Sequence, residues 1–283
     1  MFNATLLFLT AVGISLQATL KKYYTHKGCQ GVFIFTATAA ASACLFFILT
    51  SGFKLDFTKE VLPYSIGFGV SYCLAVVTSF LAVKIGSLSL TSLITSYSLI
   101  VPTFYGLIFL DEAASVTFFV GFAILLVSLF LINSKRDGKT VSLPWMIVVL
   151  ISFVGNGVCS TFQNVQQKKF DGMYKNELMI IALGGVALVL FTMALLKERR
   201  DVLPSLRGGA HAMVACGLAN GTVNLMVMLL AVRMNASLMF PIISGGGIVL
   251  SWSVSKFIYK EKLTKYQNAA LVLGIIAVVL MNL

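Results

Sequence analysis

Ten stretches of this chain contain no Lys, Arg, Asp or Glu: 1–20, 28–53, 61–83, 85–110, 113–134, 140–167, 178–196, 208–232, 234–255 and 266–283. A charge near the centre of a bilayer costs about 2.5–3.5 kcal/mol on insertion scales, so charges punctuate membrane spans. A helix needs about 20 apolar residues to cross the hydrocarbon, and every run is near or above that length. Backbone groups in lipid must be bonded within their own segment, which makes the runs helices. The expectation is an all-α membrane protein of ten transmembrane helices.

Composition agrees with this reading. Of 283 residues 58% are hydrophobic and 11% charged, whereas a soluble domain carries roughly 25% charged residues. The net charge of +11 would point to nucleic acid in a soluble protein. Here the basic residues sit in short corners, where topology and anionic lipid at the cytoplasmic face account for them, and no nucleic-acid partner is expected. The N-terminal MFNATLLFLTAVGISLQATLKK has no basic residue ahead of its apolar run, and reads as a first span and not as a cleaved signal. Cys29, Cys44, Cys73, Cys159 and Cys216 lack metal-ligand spacing, and Cys within an apolar run behaves as a small hydrophobe. His26 and His211 lie far apart at run edges. No metal and no cofactor are expected.

The chain repeats itself. LAVKIGSLSL (81–90) returns 149 positions later as LAVRMNASLM (230–239), and the same offset lays Glu112 on Glu261, Leu131 on Leu280 and Asn133 on Asn282. The shared layout is apolar run, charged corner, apolar run, the sign of a duplicated membrane module. It divides the spans into a first five-helix repeat (1–134), a cytoplasmic linker (135–142) and a second repeat (143–283), with Pro144 opening the sixth span. Five is odd, so the two copies cross the membrane in opposite senses as inverted repeats, an arrangement whose solute site lies near the midplane between the halves.

Orientation follows from the basic residues. Fifteen lie on the side reached after odd-numbered spans (the groups around Lys21, Lys84, Lys135, Arg199 and Lys260), against six on the other: Lys54, Lys59, Lys168, Lys169, Lys175 and Arg233. The positive-inside rule makes the richer side cytoplasmic and places both termini outside the plasma (inner) membrane.

Ten spans in a five-plus-five duplication resemble the drug/metabolite transporter superfamily, in particular its EamA-like members. The best local match is SLMFPIISGGGIVLSWSVSKFIYKEKLTKYQNAALVLGIIAVVLMN, with Pro241 early in the ninth span, Glu261 at the next corner and Gly274 in the tenth. The first half carries Glu112 and Gly121, but Ser92 stands where Pro241 would, and its own proline is Pro102. The resemblance implies a permease working by alternating access. The related small multidrug resistance proteins use a first-span Glu, whose place here is Gly13 or Ile14. Neither can hold a proton, which argues against drug–proton exchange.

Position within a run estimates depth in the bilayer. Tyr72, Ser96, Tyr97, Asn220 and Ser244 lie mid-run, and Asn156 lies within a turn of mid-run. Asn224 follows Asn220 by four residues and shares its helix face. Gln17, near the Lys21–Lys22 end of the first span, is a pore-lining candidate. These amide, hydroxyl and phenol groups suit a small polar, uncharged or zwitterionic solute. Polar side chains in membrane helices also bond between helices for about 0.6–2 kcal/mol each, so packing is the alternative at every one. Gly245, Gly246 and Gly247 follow Pro241; each glycine costs a helix roughly 1 kcal/mol against Ala, which makes the segment a hinge or a backbone-lined part of the site. Lys84 and Arg233 end the third and eighth runs, where their stems can snorkel to headgroups. The runs hold no Asp or Glu, so an enzyme is not expected, and a monomeric carrier moving solute by facilitated passage or exchange is. A non-transporting membrane component, or an ion-coupled sugar or amino-acid carrier, is the alternative.

Overall fold

A computed structural model describes residues 2–110, 115–132, 142–260 and 265–281. The corner residues Asp111, Glu112 and Glu261, the ends of the repeat at Asn133 and Asn282, and all but the last residue of the expected linker lie outside these. The described residues form eleven α-helices and one 3-10 turn, with no strand among them. In order they are α1 (Phe2–His26), α2 (Val32–Thr50), a 3-10 turn (Lys59–Val61), α3 (Leu62–Ile85), α4 (Leu88–Tyr97), α5 (Ile100–Phe109), α6 (Val116–Ile132), α7 (Leu143–Lys169), α8 (Lys175–Lys197), α9 (Arg199–Ala231), α10 (Ala236–Phe257) and α11 (Lys265–Leu280).

Among the described residues eight segments are long and apolar enough to cross a membrane: α1, α2, α3 with its 3-10 turn, α4 and α5 together, α7, α8, α9 and α10. The fifth and tenth expected runs are α6 and α11, of 17 and 16 residues. At about 1.5 Å per residue they reach roughly 25 Å, at or below the hydrocarbon thickness. The exposed faces of the helices are apolar: Phe8, Leu45, Leu49, Ile66, Val70, Leu74, Leu188 and Leu196 all point outward, while Lys21, Ser96, Gln163, Asn220 and Asn224 are buried. An apolar outer surface over an interior that buries amides and a lysine along with its apolar core is the distribution that lipid selects. The chain is an all-α, multi-pass membrane protein.

Local chemistry sets several helix ends. Ser87 and Ser142 cap α4 and α7 by accepting from the Leu90 and Trp145 amides. Pro63 and Pro144 occupy first-turn positions of α3 and α7, where a missing N–H costs nothing. Gly28 turns the chain out of α1 at φ +78°. α2 has no cap of its own. Instead the Glu198 carboxylate, from the corner between α8 and α9, accepts from the Val32, Phe33 and Ile34 amides at 2.8, 2.9 and 3.2 Å. A carboxylate on these free amides meets the positive end of the helix dipole. We expect Glu198→Ala to destabilise the detergent-purified protein by about 1–2 kcal/mol, read as a thermal unfolding midpoint lowered by a few degrees. An unchanged midpoint would show that water caps α2 equally well.

The fourth run is broken. α4 stops at Tyr97, and the chain continues through bonds of i→i−3 type, Ser98 N to Thr95 O (3.2 Å), Leu99 N to Ser96 O (3.3 Å) and Val101 N to Ser98 O (3.0 Å), into α5. Pro102 is the cause: it has no N–H to give Ser98 O, and its ring would clash with that carbonyl in a continuous α-helix. α10 runs unbroken from Ala236 to Phe257 through Pro241 and Gly245–Gly247, the segment expected to be a hinge or a backbone-lined part of the site. Its glycines serve packing: a Cβ on Gly246 would meet Ala11 Cβ at 2.8 Å, and one on Gly247 would lie 3.5 Å from Ile14.

Helix pairs close on small residues. α3 packs along α7, α2 along α8 and α9, α1 along α9 and α10, and α6 along α11, while α10 crosses α4 and α5. A Cβ on Gly155 of α7 would sit 2.9 Å from Ser71 O of α3, and one on Gly121 of α6 would sit 2.6 Å from Ala277 O of α11. Gly217 and Gly221 of α9 lie against Ala39, Ser42 and Phe46 of α2. Without Cβ atoms the backbones approach until dispersion contacts are dense, the main attraction between helices in lipid.

Candidate functional site

Between these helices lies a cavity of about 160 Å³, lined from α1, α3, α4, α7, α9 and α10. It is well below the roughly 300 Å³ or more of a drug-sized pocket. Six of the candidates from the sequence meet here: Gln17, Tyr72, Ser96, Asn156, Asn220 and Asn224.

Four amides on three helices form a directed chain along the wall. Gln163 Nε2 donates to Asn224 Oδ1 (3.2 Å) and to Asn224 O (3.1 Å). Asn224 Nδ2 donates to Asn220 Oδ1 (3.1 Å), Asn220 Nδ2 to Gln17 Oε1 (3.1 Å), and Gln17 Nε2 to Gly13 O (3.3 Å). Each amide is oriented by its neighbour, which fixes a pattern of donors and acceptors facing the cavity. Across from them Asn156 Nδ2 donates to Ser98 Oγ at 2.5 Å, tying α7 to the break between α4 and α5. Tyr72 stacks on Phe68, ring centroids 5.5 Å apart. Ser92 lines the cavity with a buried hydroxyl that has no partner among the described residues.

Two candidates face elsewhere. Tyr97 is buried, its hydroxyl 2.8 Å from Ser128 Oγ, which in turn donates to Ala270 O at 2.7 Å. It bonds α4 to α6 and α11. Ser96 and Tyr97 are adjacent on one helix, about 100° apart, and Tyr97 is turned towards α6 and α11, away from the cavity that Ser96 lines. Ser244 Oγ donates to Ser96 O at 2.8 Å, locking α10 to α4. Ser244, Tyr97 and Pro241 border a separate crevice of about 10 Å³, room for one water at most. The expected site therefore loses Tyr97 and Ser244, and Pro241 and Gly245–Gly247 stand outside the main cavity.

The structure adds Lys21, Ser79, Ser92, Thr95, Ser152, Ser160 and Gln163 to the lining. Lys21, expected at the cytoplasmic end of the first span, is 7% exposed, with Nζ 3.1 Å from Ser79 Oγ. The lining thus includes one ionisable amine. Lys84 and Arg233 stay out of it: Lys84 Nζ donates to Gln30 O at 3.2 Å, and the Arg233 guanidinium lies 4.7 Å over the Phe2 ring. No group of three His, Cys, Asp or Glu among the described residues is placed to hold a metal.

No protein-family model matches this chain, and no curated protein matches it. Solved structures do. One, described only as the crystal structure of a protein, superposes with a TM-score of 0.71 over 99% of this chain and 98% of its own length, at 15% identity. The likeness establishes a shared fold over the whole chain and says nothing of activity. Fold and cavity together define the class: a multi-pass helical membrane protein built around a polar internal cavity.

Proposed function

We propose that this chain is a secondary carrier of the drug/metabolite transporter kind, moving a small polar solute across the plasma membrane by alternating access. The observation that carries the reading is the buried cavity of about 160 Å³, lined with amides and hydroxyls on helices from both halves of the sequence. Such groups are costly to hold in a membrane interior, and a hydrophilic passenger is what repays them.

The helix pairings support an inverted repeat with α6 and α11 as the fifth and tenth spans. Exchanging the two halves carries α1 on α9 into α7 on α3, α2 on α9 into α8 on α3, and α1 on α10 into α7 on α4 and α5. The pairs α2 with α8 and α6 with α11 map onto themselves. Contacts between helix ends support alternating passage. Lys22 with Gly86, Glu198 with Val32 and Tyr259 with Thr19 join ends on the side rich in basic residues, which the positive-inside rule makes cytoplasmic. Glu177 with Asp56 N, at 2.9 Å, joins ends on the other.

No acidic side chain among the described residues lines the cavity. That favours facilitated passage or solute exchange over carboxylate-based proton coupling. The test is flux. Purified protein in liposomes loaded with mixed unlabelled amino acids, organic acids, sugars and nucleosides should take up one labelled class saturably, without a pH or Na⁺ gradient. Folded protein that moves none of them would favour a non-transporting membrane component.

A further inference from the structure

We propose that Lys21 is the counter-charge for the solute, and that the solute class is a small molecule bearing a single carboxylate. The inference rests on the carrier reading above and deepens it. Lys21 is the one charged side chain among the described residues lining the cavity. It is buried, its Nζ lies 3.1 Å from Ser79 Oγ, and it has no carboxylate partner among the described residues. A lysine buried without a carboxylate beside it is expensive to charge, so an anionic solute that supplies the counter-charge is favoured there, and such residues mark substrate or ion pathways. The lining offers what an anion needs besides charge. The Ser92 hydroxyl is buried there without a partner.

Charge balance selects the anion. One ammonium neutralises one carboxylate, whereas a phosphate ester carries about −1.5 to −2 near neutral pH and would leave excess negative charge in the membrane interior. Geometry agrees: a lone ammonium acts as a point charge, while phosphate is commonly gripped by the guanidinium fork, and no arginine among the described residues lines the cavity. Volume limits size, because a cavity of about 160 Å³ admits a short acid and not a dinucleotide or a polycyclic one.

The experiment compares uptake of a short monocarboxylic acid, its primary amide and a phosphate ester of the same skeleton into liposomes, for wild type, Lys21→Met and Lys21→Gln. Wild type should prefer acid to amide by at least about tenfold, and both variants should lose or reverse that preference while still carrying the amide. A ratio is read so that a general loss of folded protein does not mimic the result. Preference for the phosphate ester, or an acid-to-amide ratio unchanged in both variants, would overturn the assignment to a carboxylate while leaving the carrier intact. Should wild type move none of the three, nor any solute of the wider panel, the carrier reading falls and takes this inference with it.

Discussion

Asn224→Leu is expected to lower solute uptake by at least about tenfold, equivalent to about 1.4 kcal/mol in the barrier, while the protein still folds. Asn224 sits in the middle of the amide chain, accepting from Gln163 and donating to Asn220. Its loss frees Asn220 to rotate away from Gln17 and places a branched apolar group on the cavity wall. The stability cost is smaller than the functional one, because interhelical side-chain bonds in membranes average about 0.6 kcal/mol and reach about 1.7. The Gln163 amide also keeps the Asn224 backbone carbonyl as an acceptor at 3.1 Å. Uptake in liposomes and the unfolding midpoint in detergent separate the two quantities. Unimpaired uptake would remove the amide chain from the transport path and leave it a packing device.

Gly217→Leu should have the opposite profile, with loss of the folded protein itself. A Cβ there lands on the Ala39 carbonyl oxygen and 2.6 Å from Ser42 Cβ. The first obstacle is backbone and cannot rotate aside, so α2 and α9 must separate. α2 is also held at its start by Glu198 and by Ser205 Oγ, which accepts from Gly31 N at 3.3 Å. Separation would therefore strain both ends of the pair. The cost should exceed the usual 1–3 kcal/mol of overpacking, at about 3 kcal/mol or more. Gly185→Leu is the control: nothing lies within 4 Å of a Cβ there, and replacing Gly in a helix can add about 1 kcal/mol of stability. Size-exclusion profiles should show aggregated or absent protein for the first variant and a monodisperse peak for the second. A monodisperse Gly217→Leu protein would mean that the α2–α9 interface is more compliant than its geometry implies.

Legibility in the sequence followed physical range. The apolar runs were readable because a charge in lipid is costly at any position, whatever the neighbours. Asn156, Asn220 and Asn224, which line the cavity, were picked out by depth alone, because an amide near mid-run is costly to place in lipid. Tyr97 and Ser244 have the right depth and the wrong direction, and depth along an axis carries no azimuth. Helical spacing held a signal that depth did not use: Ser152, Asn156, Cys159 and Gln163 follow at four, three and four residues and all line the cavity, a stripe that finds Gln163 by period. Lys21 was hidden by the assumption that a charge only ends a span, although a lysine at such a place can turn its side chain into a cavity lined by polar groups. The interruption fell at Ser98 and Leu99, in the half holding Pro102, and not at Pro241. Pro241 lies near the start of its helix, six residues in, where little of the helix precedes it to be bent. The Glu198 cap on α2 spans 166 positions in sequence, and no local pattern announces it.

The central claim is that one cavity serves both faces of the membrane. It is tested most directly by placing a thiol on the cavity wall, Thr95→Cys, in oriented proteoliposomes and labelling with membrane-impermeant reagent from one side at a time. The modification is read at that residue by mass spectrometry, so the native cysteines need not be removed. The account expects labelling from each side, slowed from both by a transported solute. A thiol reached from one face only, or from both with no protection by any solute that the protein carries, would contradict it.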